Sequence, residues 1–138
     1  MTDIIQIVIE GTSGFGSIDN AYRDKVTVTP DFIAYEYTPY RETPAAPKRK
    51  WRCQTNSPTY QAEYDKITAM LPKALARSEE EFCTDIGSIS FVITYADKTT
   101  LRKVYRLPGE AFGELFTAIK ALVPACEPVP AVLRTSED

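Results

Sequence analysis

Residues 88–106 read SISFVITYADKTTLRKVYR, and residues 112–124 read FGELFTAIKALVP. In the first stretch Ile89, Phe91, Ile93 and Tyr95 alternate with Ser90, Val92 and Thr94, the period of a strand with one buried face. Ala96 to Thr99 makes a short polar turn into a second strand, 100–106, so the pair is a hairpin. In the second stretch Phe112, Leu115, Phe116, Ile119, Leu122 and Val123 fall at i, i+3, i+4, i+7, i+10 and i+11. Those offsets form a single stripe on a helix.

The same unit is echoed upstream. Tyr60, Tyr64, Ile67, Met70, Leu71 and Pro72 match Phe112, Phe116, Ile119, Leu122, Val123 and Pro124 in spacing and class. A segment of cations and aromatics precedes each copy, 49–52 in one and 102–106 in the other. The copies differ where Glu63 stands in place of Leu115, which predicts a narrower buried face for the upstream helix. Ser57 is a good N-cap with Pro58 at the first helical position, and Pro72 is expected to end or kink that helix. Apolar spacing of this kind arises by duplication or from the shared demands of packing a helix on a sheet.

Working outward, residues 4–9 read as a first strand with Ile5, Ile7 and Ile9 on one face and Ile4, Gln6 and Val8 on the other. A loop rich in Gly and Ser follows over 11–17. Residues 25–29 and 32–37 form two strands about a turn at Pro30 and Asp31. A long connection carrying Pro39, Pro44 and Pro47 leads to a fourth strand, 49–54. The expected fold is α+β: a mainly antiparallel sheet of about six strands with two helices on one face. One domain spans residues 1–126, and the Pro-rich, polar residues 127–138 read as a flexible tail.

Composition sets limits on function. With 43% hydrophobic and 25% charged residues, the chain has the balance of a globular domain able to bury a core. It holds no histidine, which removes Ser-His-Asp and Cys-His catalysis and the commonest transition-metal ligand. Cys53, Cys83 and Cys126 are odd in number and widely spaced, so free thiols are expected rather than disulfides or a zinc site. The start lacks the cationic and small-residue pattern of a signal peptide, and the expected address is cytoplasmic. No cofactor is expected.

Some segments invite a sharper reading. Gly11, Gly14 and Gly16 follow a strand but match neither a dinucleotide fingerprint nor a Walker A loop. Glu79, Glu80, Glu81 and Asp85 lack the spacing of a calcium loop. Tyr35, Tyr37 and Tyr40 lie close together and could line a small pocket. Glu36, Glu63 and Tyr64 are the residues available to an enzyme, with no motif joining them.

Two surfaces remain as binding candidates. Lys48, Arg49, Lys50 and Arg52 surround the single tryptophan, Trp51, in a chain of net charge −3, leaving −7 on the rest. Lys48, Lys50 and Arg52, with Trp51 or Tyr40 as a stacking surface, would suit nucleic acid or a phosphate ligand. An edge strand guarded by cations against aggregation carries the same pattern. The second surface is the sheet face away from the helices, where Val8, Phe32, Val92 and Val104, with Ile4 and Ala34, predict an apolar patch covered by a homodimer partner or by the Pro-rich loop 38–48. The leading expectation is a domain that self-associates as a homodimer through that face or binds a protein or peptide, with the basic strand as the alternative.

Overall fold

The computed structural model describes residues 3–12, 22–39, 48–54, 57–76, 88–105, 112–124 and 130–133. The elements are β1 (Ile4–Thr12), β2 (Tyr22–Val28), β3 (Phe32–Pro39), β4 (Arg49–Gln54), α1 (Pro58–Ala74), β5 (Ile89–Tyr95), β6 (Thr100–Tyr105), α2 (Gly113–Lys120) and a 3-10 turn, Ala131–Leu133. All six strands join one antiparallel sheet in the order β4-β3-β2-β1-β5-β6. The fold is α+β, as the sequence periods require. Both repeated hairpins are present and sit at opposite ends of the sheet, β4 forming one edge and β6 the other.

One face of the sheet is the core. Ile7, Ile9, Val26, Val28, Ile33, Phe91 and Ile93 point toward the helices and are 0 to 1% exposed. Tyr60, Tyr64, Ile67 and Leu71 of α1 and Leu115, Phe116 and Ile119 of α2 complete the same cluster. Burying a side chain of this size contributes about 1.5–3 kcal/mol, so this layer carries most of the stability. Glu63 is half-buried where Leu115 is 2% exposed, the asymmetry that the echo predicts.

Hydroxyl bonds fix α1 on the sheet. Ser57 accepts from the Tyr60 amide at 3.2 Å, capping the helix. The Tyr60 hydroxyl donates to the Thr29 carbonyl at 2.7 Å and that of Tyr64 to Ile4 at 2.8 Å, while Gln61 donates to Pro30. At the far end the Tyr105 hydroxyl donates to the Leu75 carbonyl at 2.9 Å. The helix runs through Pro72 to Ala74 instead of ending there, because the residues after Pro72 keep their helical bonds, such as the Leu75 amide to the Leu71 carbonyl at 2.8 Å.

Three local differences from the sequence reading have physical causes. A register shift between Ile4 and Gln6 opposite β5 changes the alternation, so Ile4 packs against the core and Ile5 turns outward at 41% exposure. Gly11 belongs to β1 and not to a loop, and a Cβ there would lie 2.7 Å from Val132 and 2.9 Å from Asp24. Within the segment expected as a tail, Val132 and Leu133 are core residues, 7% and 0% exposed. Asp24 holds that turn: its Oδ2 accepts from the Val132 amide and from the Tyr35 hydroxyl, both at 2.9 Å. Residues 127–129 and 134–138 lie outside the described residues.

Candidate functional site

Strand β4 divides its chemistry between the two faces of the sheet. Arg49, Trp51 and Cys53 fall on the helix side, opposite Tyr37, Tyr35 and Ile33. Lys50 and Arg52 fall on the other side, opposite Glu36 and Ala34. Trp51 is half-buried and packs at 5.8 Å between ring centroids against Tyr35, whose hydroxyl is bonded to Asp24. Arg49 lies 5.0 Å over the Tyr37 ring, and Tyr37 stacks on Tyr22 at 5.4 Å. The aromatic residues near Trp51 therefore finish the core corner, and Trp51 is not beside Lys50 and Arg52 in space. Lys48 is exposed at the start of the strand, whereas Tyr40 lies outside the described residues.

The open face can be followed row by row across the sheet. One row runs Arg52, Ala34, Thr27, Val8, Val92, Arg102. The next runs Lys50, Glu36, Lys25, Glu10, Ser90, Val104. Phe32 pairs with Gln54 at one end, and Arg23 lies between Thr38 and Thr12 at the other. Both helices and the 3-10 turn pack on the opposite face, and no described helix or strand covers this one; residues 40–47 of the Pro-rich loop, the other expected cover, lie outside the described residues.

The apolar residues named from the sequence do share this face, apart from Ile4, but they are interrupted. Val8 and Val92 are paired and half-buried, with Arg102 beyond Val92 and Thr27 beyond Val8. Val104 is 37% exposed and stands opposite Ser90. Phe32 is covered by the Arg52 guanidinium, 3.9 Å from the ring centroid. Among the described residues, Ile5 and Val104 are the exposed large hydrophobics.

Charge distinguishes this face more than hydrophobicity does. Among the described residues it presents Arg23, Lys25, Lys50, Arg52 and Arg102 against Glu10 and Glu36, a net of +3 on a chain of net −3. The carboxylates are not beside every cation. Lys25 pairs with Glu36 at 3.9 Å, both side chains about half exposed, which is a weak contact in water. Asp31 and Asp97 occupy hairpin turns at one end of the sheet and bound the positive surface there. Three of these cations, Arg23, Lys25 and Arg102, were missed by sequence reasoning because they are brought to β4 only through strand pairing.

Other candidates separate. Glu36 is on the open face and Tyr64 is in the core with its hydroxyl on Ile4, so the two do not converge. Burial lifts the Tyr64 hydroxyl to about 12, with Asp65 adding to it. The Tyr60 hydroxyl is also pushed up, first by burial and then by Tyr64, Cys53 and Asp31. Both hold the neutral, hydrogen-bond-donating form and act structurally. Cys53 is a half-buried free thiol, and Cys83, Cys126, Gly14, Gly16 and the acidic residues 79–81 and 85 lie outside the described residues. Among the described residues no group of three His, Cys, Asp or Glu could hold a metal, and no helix is long and apolar enough to cross a membrane.

The chain matches no model of a known protein family and no curated protein.

Proposed function

We propose that this protein is a binding domain of the cytoplasm whose working surface is the open face of the sheet, and that its ligand is a polyanion. The net charge of +3 on that face, within a chain of −3, is the observation that carries the reading. The cations of β4 and β2 stand two strands, about 10 Å, apart, and successive cations on one strand about 7 Å apart. Lys50 and Arg52 on β4 and Lys25 and Arg23 on β2 thus form two short columns able to contact successive phosphates or sulfates. Binding of this kind releases counterions and weakens steeply with salt.

Retention on immobilised heparin across a salt gradient tests this. The wild-type protein is expected to elute well after a Lys50→Glu/Arg52→Glu variant of unchanged circular dichroism. Equal elution of the two, or passage of both through the column at 50 mM salt, would remove the reading. The free half-buried Cys53 suits the reducing compartment named here.

A second reading, self-association through the same face, is favoured by one pattern. Lys50, Glu36, Lys25 and Glu10 alternate in sign along a single row. A two-fold axis parallel to the strands, between β3 and β2, would place Lys50 of one copy against Glu10 of the other, and Glu36 against Lys25. Light scattering over a concentration series separates the readings: a dimer that Val92→Lys or Phe32→Lys dissociates supports self-association, and a monomer throughout excludes it.

A further inference from the structure

We infer that the polyanion is a single-stranded nucleic acid, and that Phe32 with Arg52 is the platform on which one of its bases stacks; this rests on the open-face reading above. Phe32 is the aromatic residue that the described strands place on the open face, and its ring is half-buried beneath the Arg52 guanidinium at 3.9 Å. Arg52 itself is exposed. A guanidinium lying on a ring extends the ring's flat surface toward solvent, and both planes stack with bases.

The neighbours suit a base at this corner. Ala34 stands opposite Arg52 and leaves clearance above the sheet, and Gln54 stands opposite Phe32 with an amide that can both donate to and accept from a base edge. Lys50 follows on the same strand, and Lys25 and Arg23 continue two strands away, so the phosphates on one side of the stacked base meet cations. Asp31, in the turn immediately before Phe32, disfavours phosphate on that side of the platform, away from Lys50 and Arg23. A strand laid on this face would therefore run from the Phe32 corner toward Lys50 and Arg23.

Single strands are the expected partner because their bases can leave the helix and lie on a flat sheet, whereas a duplex keeps its bases stacked inside. Sulfated or phosphorylated polymers offer the charge without the base. The platform should separate these ligands, since charge alone does not use Phe32.

The test is fluorescence anisotropy with a labelled mixed-sequence oligonucleotide of 12 nucleotides, as DNA and as RNA, compared with the same sequence as duplex and with labelled heparin. Single strands of either chemistry are expected to bind about tenfold or more tightly than duplex. Phe32→Ala is expected to weaken single-strand binding about tenfold and leave heparin binding unchanged. Arg52→Lys, which keeps the charge and the fold, should also weaken single strands more than heparin. Duplex binding equal to single-strand binding, or single-strand affinity unmoved by both substitutions, would overturn the platform while leaving the polyanion reading in place. Failure of every probe, heparin included, to bind at 50 mM salt would overturn both.

Discussion

The two faces of the β3–β4 hairpin use the same residue types for opposite purposes. On the helix side, Arg49 covers Tyr37, and Trp51 packs on Tyr35 beside the buried Asp24. On the open side, one residue further along, Arg52 covers Phe32, with nothing described above it. Composition is nearly equal on the two sides of β4, yet one side closes a core and the other faces outward. The difference comes from the layer placed over each face. Arg49 and Arg52 are both exposed over half-buried rings, so the faces differ in what lies beside those pairs: Trp51 on Tyr35 in the core layer, and Lys50, Lys25 and Arg23 on the open one.

The largest effects should follow from damage to the helix side. Phe91 is 0% exposed and packs against Tyr105, Phe112 and Phe116. Phe91→Ala is expected to cost about 3–5 kcal/mol in urea unfolding, whereas Val92→Ala, the next residue but on the open face, should cost less than about 1.5 kcal/mol. Equal costs would break the contrast between the faces. Gly11→Ala comes next in size. Its Cβ would press on Val132 and Asp24, so a loss of about 1–3 kcal/mol is expected, and hydrogen exchange should show the Val132 amide released.

The pH dependence sharpens the same comparison. Tyr64 has an unfolded-state value near 10 and is held at about 12 in the fold. A raised value means that its stabilising contribution is fully present below pH 10 and is lost as pH rises from 10 toward 12, because the unfolded chain ionises first. Alkaline unfolding monitored by circular dichroism should begin in that window, and Tyr64→Phe should reduce the slope of stability against pH there. The open face should supply the smallest effect: Glu36→Gln, which removes one partner of an exposed ion pair at 3.9 Å, should change stability by less than about 1 kcal/mol, and less still at high salt.

Sequence reading recovers the elements whose periods are long and unbroken. The β5–β6 hairpin and the stripes of α1 and α2 follow from alternation and from i, i+3, i+4 spacing, and the sheet follows from its hairpins. A register shift has no compositional mark, so Ile4 was assigned to the wrong face. Pro128 and Pro130 made the end of the chain read as a tail, although Val132 and Leu133 with one bond to Asp24 are enough to dock it. The open-face site was visible in part. Lys50 and Arg52 lie in one contiguous basic segment, while Arg23, Lys25 and Arg102 reach the same face only through pairing between strands distant in sequence. Alternation along 49–54 separates Lys50, Arg52 and Gln54 from Arg49, Trp51 and Cys53, and the pairing with β3 places the two sets on opposite faces.

The most direct test of the account compares two rings on adjacent strands and opposite faces, Phe32 and Trp51. Side-chain NMR spectra recorded while a single-stranded oligonucleotide is added should show the Phe32 ring and the Arg52 guanidinium signals moving with the titration, and the Trp51 indole staying in place. Movement of Trp51 with Phe32 unchanged, or no movement of either at saturating oligonucleotide, would contradict the assignment of the open face as the binding surface.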